Sequence, residues 1–296
     1  MNISEAYRIC HRYFTLDRSA AEKEFPAYCD AAEYLIEKTG DPDVLCGMGA
    51  AYYERSDYDM ALRYYEEAAA KGNTDACLGL GYIWYYGRTG ERDYKKAFEY
   101  FSMAPGNINA EYKLADMYRT GKYVRKDEQR YREKIEKIYA LLRETEESAF
   151  VPEICARLAH IRIEQGKKDE ALELLRKAEK ALSCRMEEER FFGNFSIMKG
   201  IIEDKYALVP FDEKNFGLYD LYFLLKSPCT VTFSCKSSAD RHTVCSAEGE
   251  DGSAFVRFGE KRYRSADDFL RNAEIGGVPL SALYRRLENF TLTQKG

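Results

Sequence analysis

Up to about residue 206, apolar residues recur at spacings of three, four and seven, the pattern of helices that bury one face. From Asp75 to Gly121 this pattern repeats itself. Ala76, Leu80, Gly81, Trp84 and Gly87 stand at the same offsets as Ala110, Leu114, Ala115, Tyr118 and Gly121, 34 residues later. Between the copies, Asp93 opens a second helical pattern in which Ala97 and Ala104 are seven residues apart. The unit reads as helix, turn, helix. Alanine, leucine and aromatic share one face, and Gly81 or Ala115 lets a neighbouring helix come close. The closing glycine suits the left-handed position that ends a helix, and Asp93 is placed to cap the next one. One such hairpin cannot bury its apolar face alone, so the period predicts a stacked helical array.

Further copies extend the array. Val44, Met48, Gly49 and Tyr52 match Ala76, Leu80, Gly81 and Trp84, and Ala61 and Ala68 precede Ala97 and Ala104 by 36 residues. Downstream, Ile154, Leu158 and Ala159 repeat the phrase with Arg162 in the aromatic place, followed by Gly166, Ala171 and Ala178. Tyr131 and Ile138 replace the alanines of the unit between. Residues 3–14 and 19–38 predict two helices outside the phrase, an N-terminal cap, with Pro26 expected to bend or delay the second. Residues 185–206 predict one more helical unit, broken near Gly193 and Asn194.

These residues resemble the Sel-one-like repeat, of the tetratricopeptide-like superfamily, over about 41–182. The resemblance implies a right-handed α-α solenoid of helical hairpins, used as a scaffold or adaptor for other proteins, with no catalytic residues to carry over. Two departures bear on geometry. The glycine-valine turn of the family is missing at Gly87-Arg88-Thr89-Gly90, and the longer connection at 142–153 interrupts the period.

After Tyr206 the period disappears. Leu218 to Leu225 predicts a short apolar helix, and 230–235, 241–245 and 254–258 predict strands. Gly249 and Gly252 mark a turn. Ser265 is an N-cap for a helix over about 266–274, Gly276-Gly277 stops it, and Pro279 starts a last helix expected to reach about Asn289. The fold class is therefore mainly α: a helical cap at 1–40, a solenoid at 41–206 and a small α+β module at 207–296.

Composition narrows the function classes. With 45 basic and 50 acidic residues the formal charge is −5, which gives no overall case for nucleic acid or an anionic membrane. No apolar run is long enough to span a bilayer, and the N-terminus lacks an uninterrupted apolar core of the signal-peptide kind. The nine cysteines include no C-x-x-C and read as reduced, small buried residues of a cytoplasmic, bacterial protein. Gly47-Met48-Gly49 and Gly79-Leu80-Gly81 lack the third glycine and the preceding strand of a dinucleotide site, and read as packing positions. His242 and Cys245 fall on opposite faces of one strand, so they do not converge on a metal. No familiar catalytic phrase is present, and no cofactor is expected.

The expected mechanism is recognition of an unidentified protein or peptide by the first helices of the hairpins. The contact candidates are Tyr53, Tyr82, Tyr85, Tyr86, Tyr112 and Arg119, which lie off the packing stripe. An alternative is a nucleic-acid-binding regulator in which the solenoid senses a peptide. It would use Arg257, Lys261, Arg262, Arg264, Arg285 and Arg286, interleaved with Phe258 and Tyr263. Twelve basic and twelve acidic residues balance over 207–296, which favours reading that stretch as a solvated face. Docking on an acidic protein surface stands between these readings.

Overall fold

The computed structural model describes residues 1–145, 150–188, 192–236, 240–249 and 253–295. Contacts divide the chain into two compact units, Met1–Leu141 and Leu142–Gly296.

The first unit is built from α1 (Ile3–Tyr13), α2 (Arg18–Thr39), α3 (Pro42–Glu54), α4 (Tyr58–Ala70), α5 (Thr74–Tyr86), α6 (Tyr94–Ser102), α7 (Ile108–Thr120) and α8 (Glu128–Thr145). α2 continues through Pro26, where a bend or a delayed start was expected. The proline removes one intrahelical hydrogen bond, and burial of Tyr28, Ala31, Ala32 and Leu35 on the same helix offsets that loss.

Each repeat is closed by local signals. Asn73 and Asn107 cap α5 and α7 by accepting from the backbone N–H of Ala76 and Ala110, and Asp57 and Asp93 cap α4 and α6 in the same way. Gly87 and Gly121 end α5 and α7 at φ 66° and 74°, a left-handed conformation that costs a residue with a Cβ about 1–2 kcal/mol. The caps also join neighbours. Asn73 Nδ2 donates to Asp43 Oδ1 at 2.8 Å, and Asn107 Nδ2 to Asp75 Oδ1 at 3.5 Å, one step of the array further on.

Close approach occurs at the small residues. A Cβ at Gly49 would lie 2.5 Å from Tyr65 Cδ1, and one at Gly79 would lie 2.5 Å from Tyr65 Cζ. The Tyr65 ring of α4 is thus held between bare backbone of its own hairpin and of the next. Gly81 makes the same accommodation for Phe101 of α6. The glycine pairs at 47–49 and 79–81 are therefore packing floors inside helices. The first helices of successive hairpins, α3, α5 and α7, also touch one another directly.

The second unit holds α9 (Val151–Glu164), α10 (Lys168–Glu188), α11 (Phe192–Leu208) and a short α12 (Leu221–Leu224). α9 and α10 form a fourth hairpin in which Ile154, Leu158, Ala159, Ala171 and Ala178 are buried as expected from the phrase. The proposed break near Gly193 is only partly described: α10 stops at Glu188 and α11 starts at Phe192, while 189–191 lie outside the described residues. Gly252, assigned to a turn, lies outside them as well.

The remainder is a five-stranded antiparallel sheet of order β4-β3-β2-β1-β7, with a helix, a 3-10 turn and a two-stranded ribbon beside it. Its strands are β1 (Cys229–Cys235), β2 (Arg241–Glu248), β3 (Ala254–Phe258), β4 (Lys261–Tyr263) and β7 (Leu287–Lys295). The ribbon pairs β5 (Glu274–Ile275) with β6 (Val278–Pro279), and α13 covers Ala266–Asn272. Val231, Phe233, Val244, Val256, Phe258 and Tyr263 form the buried face, with Phe258 and Tyr263 each 5.5 Å from the Phe269 ring of α13.

Two sequence expectations need correction here. The last helix, predicted to run from Pro279 to Asn289, is a 3-10 helix over Leu280–Arg286 followed by β7. The segment after Arg286 finds its ladder on β1, more than 50 residues away, with Thr232 opposite Thr291. Asn289 takes φ 57° where the register shifts, an irregularity that strict alternation does not anticipate. Among the described residues the module also holds four strands more than the three foreseen, two of them in the ribbon.

The boundary expected at 206/207 falls inside the second unit, where several contacts cross it. The buried Lys205 ammonium donates to Glu179 at 2.7 Å and to Asp220 at 2.6 Å. Tyr206 donates to the same Asp220 oxygen at 2.7 Å, and its ring lies 5.0 Å from Phe211 and 4.5 Å from Phe223. Burial raises the Glu179 carboxyl above its ordinary value, and the neighbouring Asp220 adds to this.

Candidate protein-interaction face

The first helices α3, α5 and α7 carry a repeated contact between a phenol and a cation. The Arg88 Nε, in the turn after α5, donates to Tyr53 Oη of α3 at 3.3 Å. One repeat later, Lys122 Nζ, in the turn after α7, donates to Tyr85 Oη of α5 at 2.8 Å. Tyr53 and Tyr85 occupy equivalent positions of the phrase, and so do Arg88 and Lys122, 34 residues apart. In each case a turn residue of one hairpin grips the first helix of the hairpin before it.

The rings join these contacts into one cluster. Tyr82 and Tyr86 lie 6.1 Å apart and stacked, and Tyr85 meets Tyr86 edge-on at 5.1 Å. Arg88 lies 5.9, 5.3 and 5.3 Å from the centres of Tyr53, Tyr58 and Tyr86, bridging α3 to α5. The Lys113 ammonium of α7 donates to Tyr86 Oη at 2.6 Å and stands 5.1 Å from the Tyr85 ring. Ring faces attract such cations because of their negative quadrupole. The hydrogen bond to Tyr85 raises the Lys122 ammonium above its ordinary value, and burial pushes the Tyr82 hydroxyl up to about 12.

Four of the six predicted contact residues thus come together. Tyr82 and Tyr53 are half-buried, Tyr86 is exposed, and Tyr85 is 9 % exposed, its ring wedged against Phe101 and Tyr94. Tyr112 is half-buried on α7. Arg119 is the third member of the Tyr53–Tyr85 series, and there the series changes: it is exposed and pairs with Asp116 at 3.3 Å. The sequence reading missed Arg88, Lys113 and Lys122. Their signal was available, since Arg88 and Lys122 follow the closing glycine of successive copies and Lys113 replaces the glycine found at 79.

A second repeated contact lies between the two helices of two successive hairpins, α5/α6 and α7/α8. Lys96 sits 3.8 Å above the Trp84 ring, and Arg130 sits 5.4 Å from the ring of Tyr118, again at equivalent positions.

The six basic residues of the alternative reading are divided by the fold. Arg257 and Arg262 face each other on β3 and β4 and share the Phe255 ring, at 5.8 and 3.9 Å. Strand alternation sends Lys261 to the other face. Arg264 lies beyond β4, where its backbone N–H donates to Asp268. Arg285 is paired with Glu187 at 3.0 Å, and Arg286 ends the same 3-10 helix. Among the described residues, no group of three or more His, Cys, Asp and Glu side chains is placed to hold a metal ion, and no helix is long and apolar enough to cross a membrane.

Comparison with known proteins places the repeat. The Sel1 repeat model matches residues 40–73, 74–104 and 108–130, so the chain carries three Sel1 repeats. Human protein sel-1 homolog 2 is 42 % identical over 150 residues, covering 49 % of this chain and 21 % of that protein. An Arabidopsis thaliana ERAD-associated E3 ubiquitin-protein ligase component, HRD3B, is 30 % identical over 80 residues, 27 % of this chain and 13 % of that protein. The chain therefore spans between 13 % and 21 % of the length of these curated relatives. A Sel1 repeat protein of Oxalobacter formigenes aligns over 37 % of this chain and 86 % of its own, at 27 % identity and a TM-score of 0.33.

Proposed function

We propose that the chain is a non-catalytic scaffold or adaptor that binds a protein or peptide along the first helices of its repeats. One observation carries the reading. The contact between tyrosine and cation recurs from one repeat to the next and gathers Tyr53, Tyr82, Tyr85 and Tyr86 on helices that touch in succession. A solenoid stabilised by packing alone has no need of phenols held in register by cations around the exposed Tyr86, whereas binding surfaces favour tyrosine and arginine because they combine large contact area with polar ends. The nucleic-acid reading has less support, since Arg285 is engaged by Glu187 and the other cations are spread over different elements.

The test is a peptide array probed with the full chain and with a Tyr86→Ala variant. Selective binding of a subset of peptides, weakened at least tenfold in the variant, is the expected result for a residue at the centre of an interface. Selective binding unchanged by Tyr86→Ala and by Arg88→Ala would move the interface elsewhere on the molecule.

A further inference from the structure

Resting on the interaction face just proposed, we infer that its ligand is an extended acidic peptide segment whose carboxylates lie about three residues apart. The cations of the face have an unusual set of partners. In a chain with more acidic than basic residues, Arg88, Lys113 and Lys122 are all held by phenol oxygens, and among the described residues none is ion-paired. Elsewhere on the same helices the ordinary arrangement is found, as in Arg119 with Asp116. A phenol oxygen accepts a hydrogen bond without neutralising the cation, and Asp116, whose carboxylate also raises Lys122, is paired with Arg119. Lys has three donors and Arg five, so each cation keeps donors for an incoming anion. The surrounding rings partly shield the site from water, which strengthens a charged hydrogen bond made there.

The spacing follows from the repeat. Arg88 and Lys122 are equivalent residues on adjacent hairpins, and packed helices stand about 8–10 Å apart. A chain in the extended polyproline II conformation makes one turn every three residues and rises about 3.1 Å per residue, so side chains three residues apart share one face and match one step of the array. A ligand of the form Glu-x-x-Glu therefore reaches both turn cations, with Lys113 between them on α7. A helical ligand would need a different spacing, because three residues advance only about 4.5 Å along a helix.

The experiment is a fluorescence-anisotropy titration of the full chain with labelled ten-residue peptides. One carries Glu-x-x-Glu in a neutral serine and tyrosine background, a second has Gln-x-x-Gln, and a third has adjacent glutamates. The Glu-x-x-Glu peptide should bind about tenfold more tightly than the glutamine peptide, the usual advantage of a charge-assisted hydrogen bond. Lys122→Met, which keeps the apolar stem over Tyr85, and Arg88→Gln should each remove most of that advantage, while Arg119→Gln should not. A melting curve matching the parent establishes that each variant is folded. Equal binding of acidic and neutral peptides, both lost in Tyr86→Ala, would refute the acidic ligand and leave the interaction face standing. Equal affinity for adjacent and spaced glutamates would refute the extended register. Tighter binding of a single-stranded oligonucleotide than of any peptide would refute the choice of partner.

Discussion

Replacing Gly81 by alanine is the most direct test of how the repeats are packed. The perturbation adds one methyl group. On this backbone the new Cβ would lie 2.4 Å from both Cδ1 and Cε1 of Phe101. Carbon atoms rest at about 3.5–4.0 Å, so the ring must retreat by more than about 1 Å. Phe101 is fully buried, packed against Tyr82 and Tyr85 with ring centres at 5.6 and 6.1 Å, so its retreat disturbs the core. Overpacking of this kind costs about 1–3 kcal/mol. Against it stands about 1 kcal/mol gained because alanine favours a helix interior over glycine. The net expectation is a loss of up to about 2 kcal/mol, or up to roughly 8 °C in melting temperature for a unit of this size. Two comparisons isolate the cause. In a Phe101→Ala background the clash is gone, and Gly81→Ala should become stabilising by up to about 1 kcal/mol. At Gly200 in α11, where an added Cβ meets nothing within 4 Å, the same substitution should stabilise the parent outright. Urea unfolding followed by circular dichroism supplies all three values. If Gly81→Ala stabilises the parent as Gly200→Ala does, the close approach of α5 and α6 is wrong.

Four further outcomes follow from particular features. Ser56 adopts φ 64° at the end of α3, so Ser56→Gly should raise the thermal midpoint, relieving about 1 kcal/mol of backbone strain; an unchanged midpoint would argue against the left-handed turn. Lys205→Met leaves Glu179 and Asp220 buried without their shared cation and should cost about 3–5 kcal/mol in urea unfolding. Because these contacts span the exposed segment 212–215, tryptic cleavage after Lys214 should leave fragments that still co-elute on gel filtration, and their separation would mark 1–206 as an independent domain. The hydrogen bond to Asp204, with Nε2 at 3.0 Å from Oδ2, raises the His160 imidazole above 6.5. Its stabilising contribution is complete below 6.5 and disappears as pH rises through the higher native value. The side chain is 60 % exposed, so the effect should stay below about 1 kcal/mol, and the melting difference between parent and His160→Gln should be larger at about pH 6 than at about pH 9.

The array was legible because its information is local. Hydrophobic spacing, the N-cap residues Asn73, Asp93 and Asn107 and the closing glycines 87 and 121 act within a few residues, and repetition made each signal readable more than once. The candidate tyrosines came from asking which residues of the first helices escape the packing stripe, yet Tyr85 is buried in the core beside Phe101. What the sequence could not supply was the pairing of groups from different repeats. That Arg88 reaches back to Tyr53, Lys122 to Tyr85 and the Tyr65 ring to both Gly49 and Gly79 depends on how far each hairpin is rotated and shifted on the last. β7 failed for the same reason. Leu280 to Arg286 carries a helical pattern up to its boundary, and the following residues become a strand only because β1, brought close by the fold, offers unpaired backbone groups. The chain thus determined its elements and their period by short-range chemistry. The tertiary structure decided which phenol meets which cation, since those contacts depend on a geometry that no short window of residues contains.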